Sequence, residues 1–163
     1  YTLKVDTDGG APILNIFGGK ITTYRRLAQS ALSKISPYFE NVTADWTAGV
    51  PLPGGDFPVD GVATLISNLK QANPFLDDRW AKRLVRAYGT EAQEVIANAK
   101  SAPDLGEDFG ATLTEAEVIW LMEHEFARRG EDIVWRRNKL GLVMTKNQVA
   151  HLDRWMIARS NSV

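Results

Sequence analysis

Apolar and polar residues alternate through Thr2-Leu3-Lys4-Val5, and a second apolar run fills Ile13-Leu14-Asn15-Ile16-Phe17. Between them lies Asp6-Thr7-Asp8-Gly9-Gly10-Ala11-Pro12, a turn-rich stretch, so the pattern predicts a β-hairpin. Two strands are marginal in water on their own, so the rest of a sheet is expected upstream. Residues 1–25 are accordingly expected to be disordered or propped against neighbouring chains when that sheet is missing. The period then changes: Tyr24, Leu27, Ala28, Ala31, Leu32 and Ile35 recur on one helical face, with Arg25, Arg26 and Lys34 off it and Pro37 beyond its end. Such a face needs a core to cover it.

From Asn41 to Pro58 the chain turns to Gly, Pro, Thr and Asp, and Pro51-Leu52-Pro53-Gly54-Gly55 can continue neither a helix nor a central strand. Beyond it almost every periodic signal is helical. Val62, Leu65, Ile66 and Leu69 make one stripe, and Trp80, Leu84, Val85 and Tyr88 another that stops at Gly89. Three threonines, each followed three residues later by Gln or Glu, fit the capping-box spacing: Thr90 with Gln93, Thr114 with Glu117, and Thr145 with Gln148. Their stripes are Val95, Ile96 and Ala99; Val118, Ile119, Met122 and Phe126; and Val149, Leu152, Trp155 and Met156. The predicted fold is mainly α, a helix bundle preceded by a short β-hairpin and helix. Its divisions fall at residues 1–40, a linker over 41–58 and a helical domain over 59–163, whose last residues, Ser160 to Val163, are expected to fray. There is no repeat at a solenoid period.

Candidate chemistry concentrates at Gly18-Gly19-Lys20-Ile21-Thr22-Thr23, between the second strand and the first helix. Two glycines permit positive φ and close backbone approach, and a helix start offers unpaired N–H groups that favour an anion or a polarised carbonyl. Lys20 adds a charge, and the Thr22 and Thr23 hydroxyls can cap the helix or donate to a ligand. It is not a nucleotide P-loop, which needs glycine where this chain has Leu14 and Ser or Thr where it has Ile21. By spacing alone, a purely structural turn with a solvated lysine fits equally.

Composition narrows the remainder. With 163 residues, 44% of them hydrophobic, the chain can bury one or two small cores, and a net charge of −1 argues against a general nucleic-acid binder. The absence of cysteine removes disulfides, thiolate catalysis and cysteine-bound zinc. No apolar run approaches the roughly 20 residues of a bilayer span. His124-Glu125-Phe126-Ala127-Arg128 starts like a zincin helix but has Arg128 where the second histidine belongs, so no metal site is expected. The charged run from Arg128 to Lys139 interleaves both signs and reads as intradomain ion pairs and helix capping. Glu107 and Asp108, in a loop between Gly106 and Gly110, have no partner nucleophile and read as a turn or helix entry. The tryptophans are expected in core or domain-interface positions, with a membrane-surface role for Trp46 or Trp155 disfavoured.

Gly18 to Arg25 resembles the segment by which FAD-dependent glycerol-3-phosphate dehydrogenases enter their last flavin-contacting helix. The likeness continues through Leu52-Pro53-Gly54-Gly55, Leu105-Gly106-Glu107-Asp108-Phe109-Gly110, His124-Glu125 and Trp135-Arg136-Arg137-Asn138-Lys139-Leu140-Gly141, covering nearly the whole chain in family order. The resemblance is to the C-terminal part of a bacterial respiratory enzyme of this family. It implies that residues 1–40 are the edge of an FAD-binding and substrate domain and that the helical part is the family's C-terminal cap. It implies a parent that oxidises glycerol 3-phosphate to dihydroxyacetone phosphate, with electrons passing through FAD to quinone at the inner face of the cytoplasmic membrane. That parent is expected to be a peripheral membrane protein of the cytoplasm and a candidate homo-oligomer. Cofactor binding is implied for Gly18, Gly19, Lys20, Ile21 and Thr22, with their backbone against the pyrimidine edge of the flavin; helix N–H groups aimed there would stabilise the negative charge of the reduced form. Lys20 is implied to face flavin and substrate, contacting either the phosphate or a cofactor oxygen. Arg25 matches the motif too, and equally suits an acidic partner in the FAD or substrate domain of the same polypeptide. The dinucleotide-binding fingerprint, substrate arginines and general base are absent from the chain, so no catalytic residue is assigned and the piece alone is expected to be inactive and to bind no FAD. The competing reading is a non-catalytic helical module that binds a protein partner and uses its glycine turn only structurally.

Overall fold

The computed structural model describes residues 1–160. Residues 161–163, most of the stretch expected to fray, lie outside them; Ser160 ends the last helix. The chain divides into two compact units, Tyr1–Val50 and Pro51–Val163.

In the first unit, strand β1 (Thr2–Asp6) pairs antiparallel with β2 (Ile13–Phe17), Leu3 opposite Ile16 and Val5 opposite Leu14. The predicted hairpin is present. Helix α1 (Tyr24–Ile35) follows, and the Tyr1 hydroxyl meets Ser30 Oγ at 3.2 Å. Leu27, Ala31 and Ile35 on the apolar face are only half-buried, while Tyr24 and Leu32 stay exposed, as do Ile13, Ile16 and Phe17 of the hairpin. No side chain of this unit is fully buried, because one hairpin and one helix present too few apolar surfaces to enclose a core.

The second unit is mainly α and holds α2 (Val62–Ala72), α3 (Asp78–Tyr88), α4 (Ala92–Ile96), α5 (Glu115–His124) and α6 (Lys146–Ser160). Its core joins all of these stripes: Leu69, Leu84, Val85, Ile96, Val118, Leu121, Leu152 and Met156 are buried together. Asp77 caps α3, its carboxylate accepting the Trp80 N–H at 2.7 Å. The Pro-Gly-Gly segment has a clear task. Gly54 lies against the end of α3, where its carbonyl accepts the Thr90 N–H at 3.0 Å, and a Cβ at Gly89 would stand 1.8 Å from the Gly54 oxygen. Two glycines are needed where two backbones touch.

Three expectations change. The predicted all-helical run contains a second hairpin, β3 (Asp108–Gly110) with β4 (Leu113–Thr114), irregular in register between Asp108 and Gly110. Glu107-Asp108 thus leads into a strand, not a helix. Only one capping box of the three forms: Thr145 N–H donates to Gln148 Oε1 at 2.8 Å and Gln148 N–H to Thr145 Oγ1 at 3.3 Å. Thr90 sits in a 3-10 turn with Gln93 drawn to the Asn73 amide, and Thr114 makes no cap bond because Glu117 turns inward. Phe126, assigned to the α5 stripe, lies past the helix end at φ +58° and is 74% exposed. Leu121 takes the core place instead.

A run not legible in advance is the π-helix Asp132–Arg137. Asn138 N–H closes it on the Ile133 carbonyl at 2.9 Å, and Trp135 then lies over Gly141, where a Cβ would come within 2.5 Å of the indole. That contact accounts for the two ends of the Trp135 to Gly141 segment.

Candidate functional site

The glycine turn leaves β2 with Gly18 at φ +77° and Gly19 at φ +132°, followed by Lys20 in extended conformation. A Cβ at Gly19 would press on Leu27 Cδ2 at 3.2 Å, so glycine here serves both the turn and the seating of α1. Ile21–Thr23 form one 3-10 turn ahead of α1. The Lys20 carbonyl accepts both the Thr23 N–H, at 3.0 Å, and the Thr23 hydroxyl, at 3.1 Å. Thr23 therefore caps no free N–H; its hydroxyl is bound backwards. Ile21 and Thr22 precede the first internal bond of the turn, so their N–H groups are available to an acceptor outside. No acidic side chain occupies this first turn to compete for them.

All five predicted binding residues, Gly18, Gly19, Lys20, Ile21 and Thr22, sit on this one exposed turn, with Ile21 89% exposed. Lys20 bonds no other side chain among the described residues. Arg25 bonds Gln29 Oε1 at 2.7 Å and reaches Thr47 Oγ1 at 3.4 Å, so within this chain it meets neutral partners. What the turn offers is a glycine pair without side chains, two backbone N–H groups and one cation, all in exposed residues. Those groups fit a flat, electron-rich cofactor edge.

The helical domain contains a polar cluster that the spacing concealed. Glu117, 1% exposed, receives Arg83 Nη1 on Oε1 at 2.7 Å and Nη2 on Oε2 at 2.6 Å, and the Tyr88 hydroxyl donates to Oε1 at 2.7 Å. Arg83 Nε also donates to Thr112 Oγ1 at 2.8 Å and Nη2 to the Thr112 carbonyl at 2.7 Å. Every charged atom has a partner, as burial demands. Burial and the adjacent Glu117 carboxylate push the Tyr88 hydroxyl far above its ordinary range. The Leu113-Glu117-Leu121 spacing, with all three buried, was the available signal for an inward Glu117.

The other flagged residues resolve into local structure. His124 stacks on Trp120 with ring centroids 3.8 Å apart, while His151 pairs with Glu107 at 2.5 Å and lies against Phe109. Among the described residues no group of three or more His, Asp or Glu is placed to hold a metal ion. The basic run is met by intradomain partners, as its interleaved charges predict. Arg129 grips Asp153 at 2.7 and 2.8 Å, Arg136 reaches Asp132 at 3.0 Å, and Asp132 accepts the Arg128 and Arg129 N–H groups at 2.9 Å. Trp80, Trp120 and Trp155 pack on the core, whereas Trp46 and Trp135 are exposed. No described helix is long and apolar enough to cross a membrane.

The class that this arrangement defines is a mainly helical domain that follows a strand, a glycine turn and a helix in the chain. Residues 46–158 match the family described as the C-terminal domain of alpha-glycerophosphate oxidase, and the chain belongs to that family. It is 40% identical to the aerobic glycerol-3-phosphate dehydrogenase of Escherichia coli over 158 residues, covering 96% of this chain and 31% of that protein. It is 41% identical to a glycerol-3-phosphate dehydrogenase of Pseudomonas aeruginosa, covering 96% and 30%, and 37% identical to a D-erythritol 1-phosphate dehydrogenase of Brucella abortus, covering 95% and 31%. The chain thus spans less than a third of the length of these curated relatives, all of them dehydrogenases.

Proposed function

We propose that this chain serves in a flavoprotein that oxidises sn-glycerol 3-phosphate to dihydroxyacetone phosphate by hydride transfer to FAD, with electrons passing on to quinone. The observation that carries the reading is the turn itself: Gly18 to Thr22 displays free backbone N–H groups and a partnerless lysine, in a chain related over almost all its length to glycerol-3-phosphate dehydrogenases. FAD, when bound, supplies the hydride acceptor. This chain's part is electrostatic and positional. The Ile21 and Thr22 N–H groups, at the positive end of the turn leading into α1, would favour negative charge on a neighbouring cofactor edge. Gly18 and Gly19 keep side chains out of that approach, and Lys20 supplies a cation for either the substrate phosphate or a cofactor oxygen. On this reading residues 1–40 belong to the FAD and substrate domains, 41–58 link them to the helical domain of 59–163, and the parent sits at the inner membrane face as a peripheral protein and candidate homo-oligomer.

The test is glycerol-3-phosphate-dependent dye reduction, with bound flavin measured, in the polypeptide carrying its natural upstream sequence, comparing Lys20 with Lys20→Ala. A fall in activity on substitution supports the placement. A parent with neither flavin nor activity would favour the helical interaction module instead.

A further inference from the structure

Just past α5 the chain passes through a left-handed residue, a place where helices commonly carry glycine. Here it is Phe126, at φ +58°, and the next N–H, that of Ala127, reaches back to the Leu121 carbonyl at 3.0 Å. A bulky side chain in this conformation is strained, and such strain persists only where the surroundings hold it. The turn is fastened on both sides. Before Phe126, the Glu125 carbonyl accepts Arg137 Nη2 at 2.6 Å; after it, Ala127 is 1% exposed and the Arg128 N–H donates to Asp132 at 2.9 Å. The ring itself stays 74% exposed.

Two unfavourable features thus fall on one side chain, and glycine would remove both, the backbone strain and the wetted ring. Arg128 adds a second open group: its guanidinium bonds no other group among the described residues. With Ala127 turned inward between them, an aromatic ring and an arginine are left at the surface on one fixed turn, and these are residue types enriched at the anchoring points of protein interfaces. The strain is present in every molecule at every concentration. A partner tethered on the same polypeptide answers such a permanent cost better than one met by diffusion, because its effective concentration is always high. The curated relatives have the length to supply it, since more than two thirds of each lies outside the part matched here.

We propose that Phe126 and Arg128 are a docking point for the upstream part of the same polypeptide, with the Phe126 ring seated in an apolar pocket there and Arg128 against a carboxylate at its rim. This rests on the reading that the chain continues upstream into a longer enzyme, and it needs neither flavin nor substrate. The test places Phe126→Gly and Arg128→Ala in two forms, the 163-residue chain and the polypeptide with its natural upstream sequence, and follows thermal unfolding at low and high protein concentration, with bound flavin measured alongside. In the 163-residue chain Phe126→Gly is expected to raise the midpoint by roughly 2–4 °C, through relief of the left-handed strain, and Arg128→Ala to leave it in place. With the upstream sequence present both should lower it. Amide exchange of residues 124–130 should be slower by about ten-fold with the upstream sequence than without it, and Phe126→Gly should abolish that difference. A midpoint that rises or stays in both forms with Phe126→Gly overturns the proposal, as does equal exchange in the two forms. A fall already seen in the 163-residue chain overturns it too: independent of concentration, the ring packs on its own domain, and dependent on concentration, its seat is a second copy. An upstream polypeptide that binds no flavin while the midpoints and exchange behave as expected would sink the flavoprotein reading and leave the docking point standing.

Discussion

Arg83 and Glu117 meet through two parallel hydrogen bonds of 2.7 and 2.6 Å, joining α3 to α5 beneath the turn that carries Thr112. The pair is enclosed, so its value depends on staying complete. Glu117→Ala leaves a guanidinium with only Thr112 for a partner and is expected to cost about 3–5 kcal/mol in urea unfolding. The double substitution Arg83→Met with Glu117→Leu should recover much of that loss, because it removes both buried charges together. A double variant no more stable than Glu117→Ala would contradict this account.

Tyr88 shares the same carboxylate. Its hydroxyl is held protonated well above its ordinary value of 10.0, through burial first and the Glu117 charge second. A raised folded-state value means the folded form keeps its proton while the unfolded chain loses it above about pH 10. The associated stability is complete below that pH and declines as pH rises beyond it. Tyr88→Phe should therefore show a shallower alkaline loss of thermal midpoint than the parent chain, at the cost of about 1 kcal/mol at neutral pH.

At the acid end, Asp153 is held below the usual carboxylate range by its bond from Arg129, and Asp132 by the Arg128 N–H. Lowered folded-state values give stability that is present above about pH 4 and lost as pH falls through the folded value. Asp153→Asn and Asp132→Asn should lower stability at neutral pH and flatten its fall between neutral and acid conditions. Equal slopes in variant and parent melting series would show that these carboxylates are not the groups responsible.

Gly89 and Gly54 permit no side chain between them. Gly89→Ala places a Cβ on the Gly54 carbonyl and adds the penalty of φ +57°, so a loss of about 3 kcal/mol is expected by chemical denaturation. Gly141→Ala should instead push Trp135 off its seat, visible as a shifted tryptophan emission with a smaller stability change, because a side chain yields more readily than backbone.

On the proposed function the isolated chain should take up no flavin when mixed with FAD, since Gly18 to Thr22 would offer it one edge contact and no G-x-G-x-x-G occurs in the chain. Equilibrium dialysis is sufficient; stoichiometric uptake would show that the chain holds more of the cofactor site than its turn.

Local periodicity by itself determined the hairpin, α1, α2, α3 and α6, because those segments repeat apolar residues at strand or helix period over enough length to dominate. The mainly α class was legible for the same reason, and the glycine turn was visible as a break between two periods. Chemistry at single positions was not. Thr114 with Glu117 has the spacing of a capping box, but Glu117 points to a charge thirty-four residues away in sequence, which no local pattern reveals. The β3–β4 hairpin is too short to show alternation, and the close approach of Trp135 to Gly141 beside the π-helix joins residues that no local period links. Tertiary structure decided which polar groups are spent on the fold, as Arg83 and Glu117 are, and which are left open, as Lys20 is. That division rests on burial and on long-range partners, and both arise only when distant segments pack together.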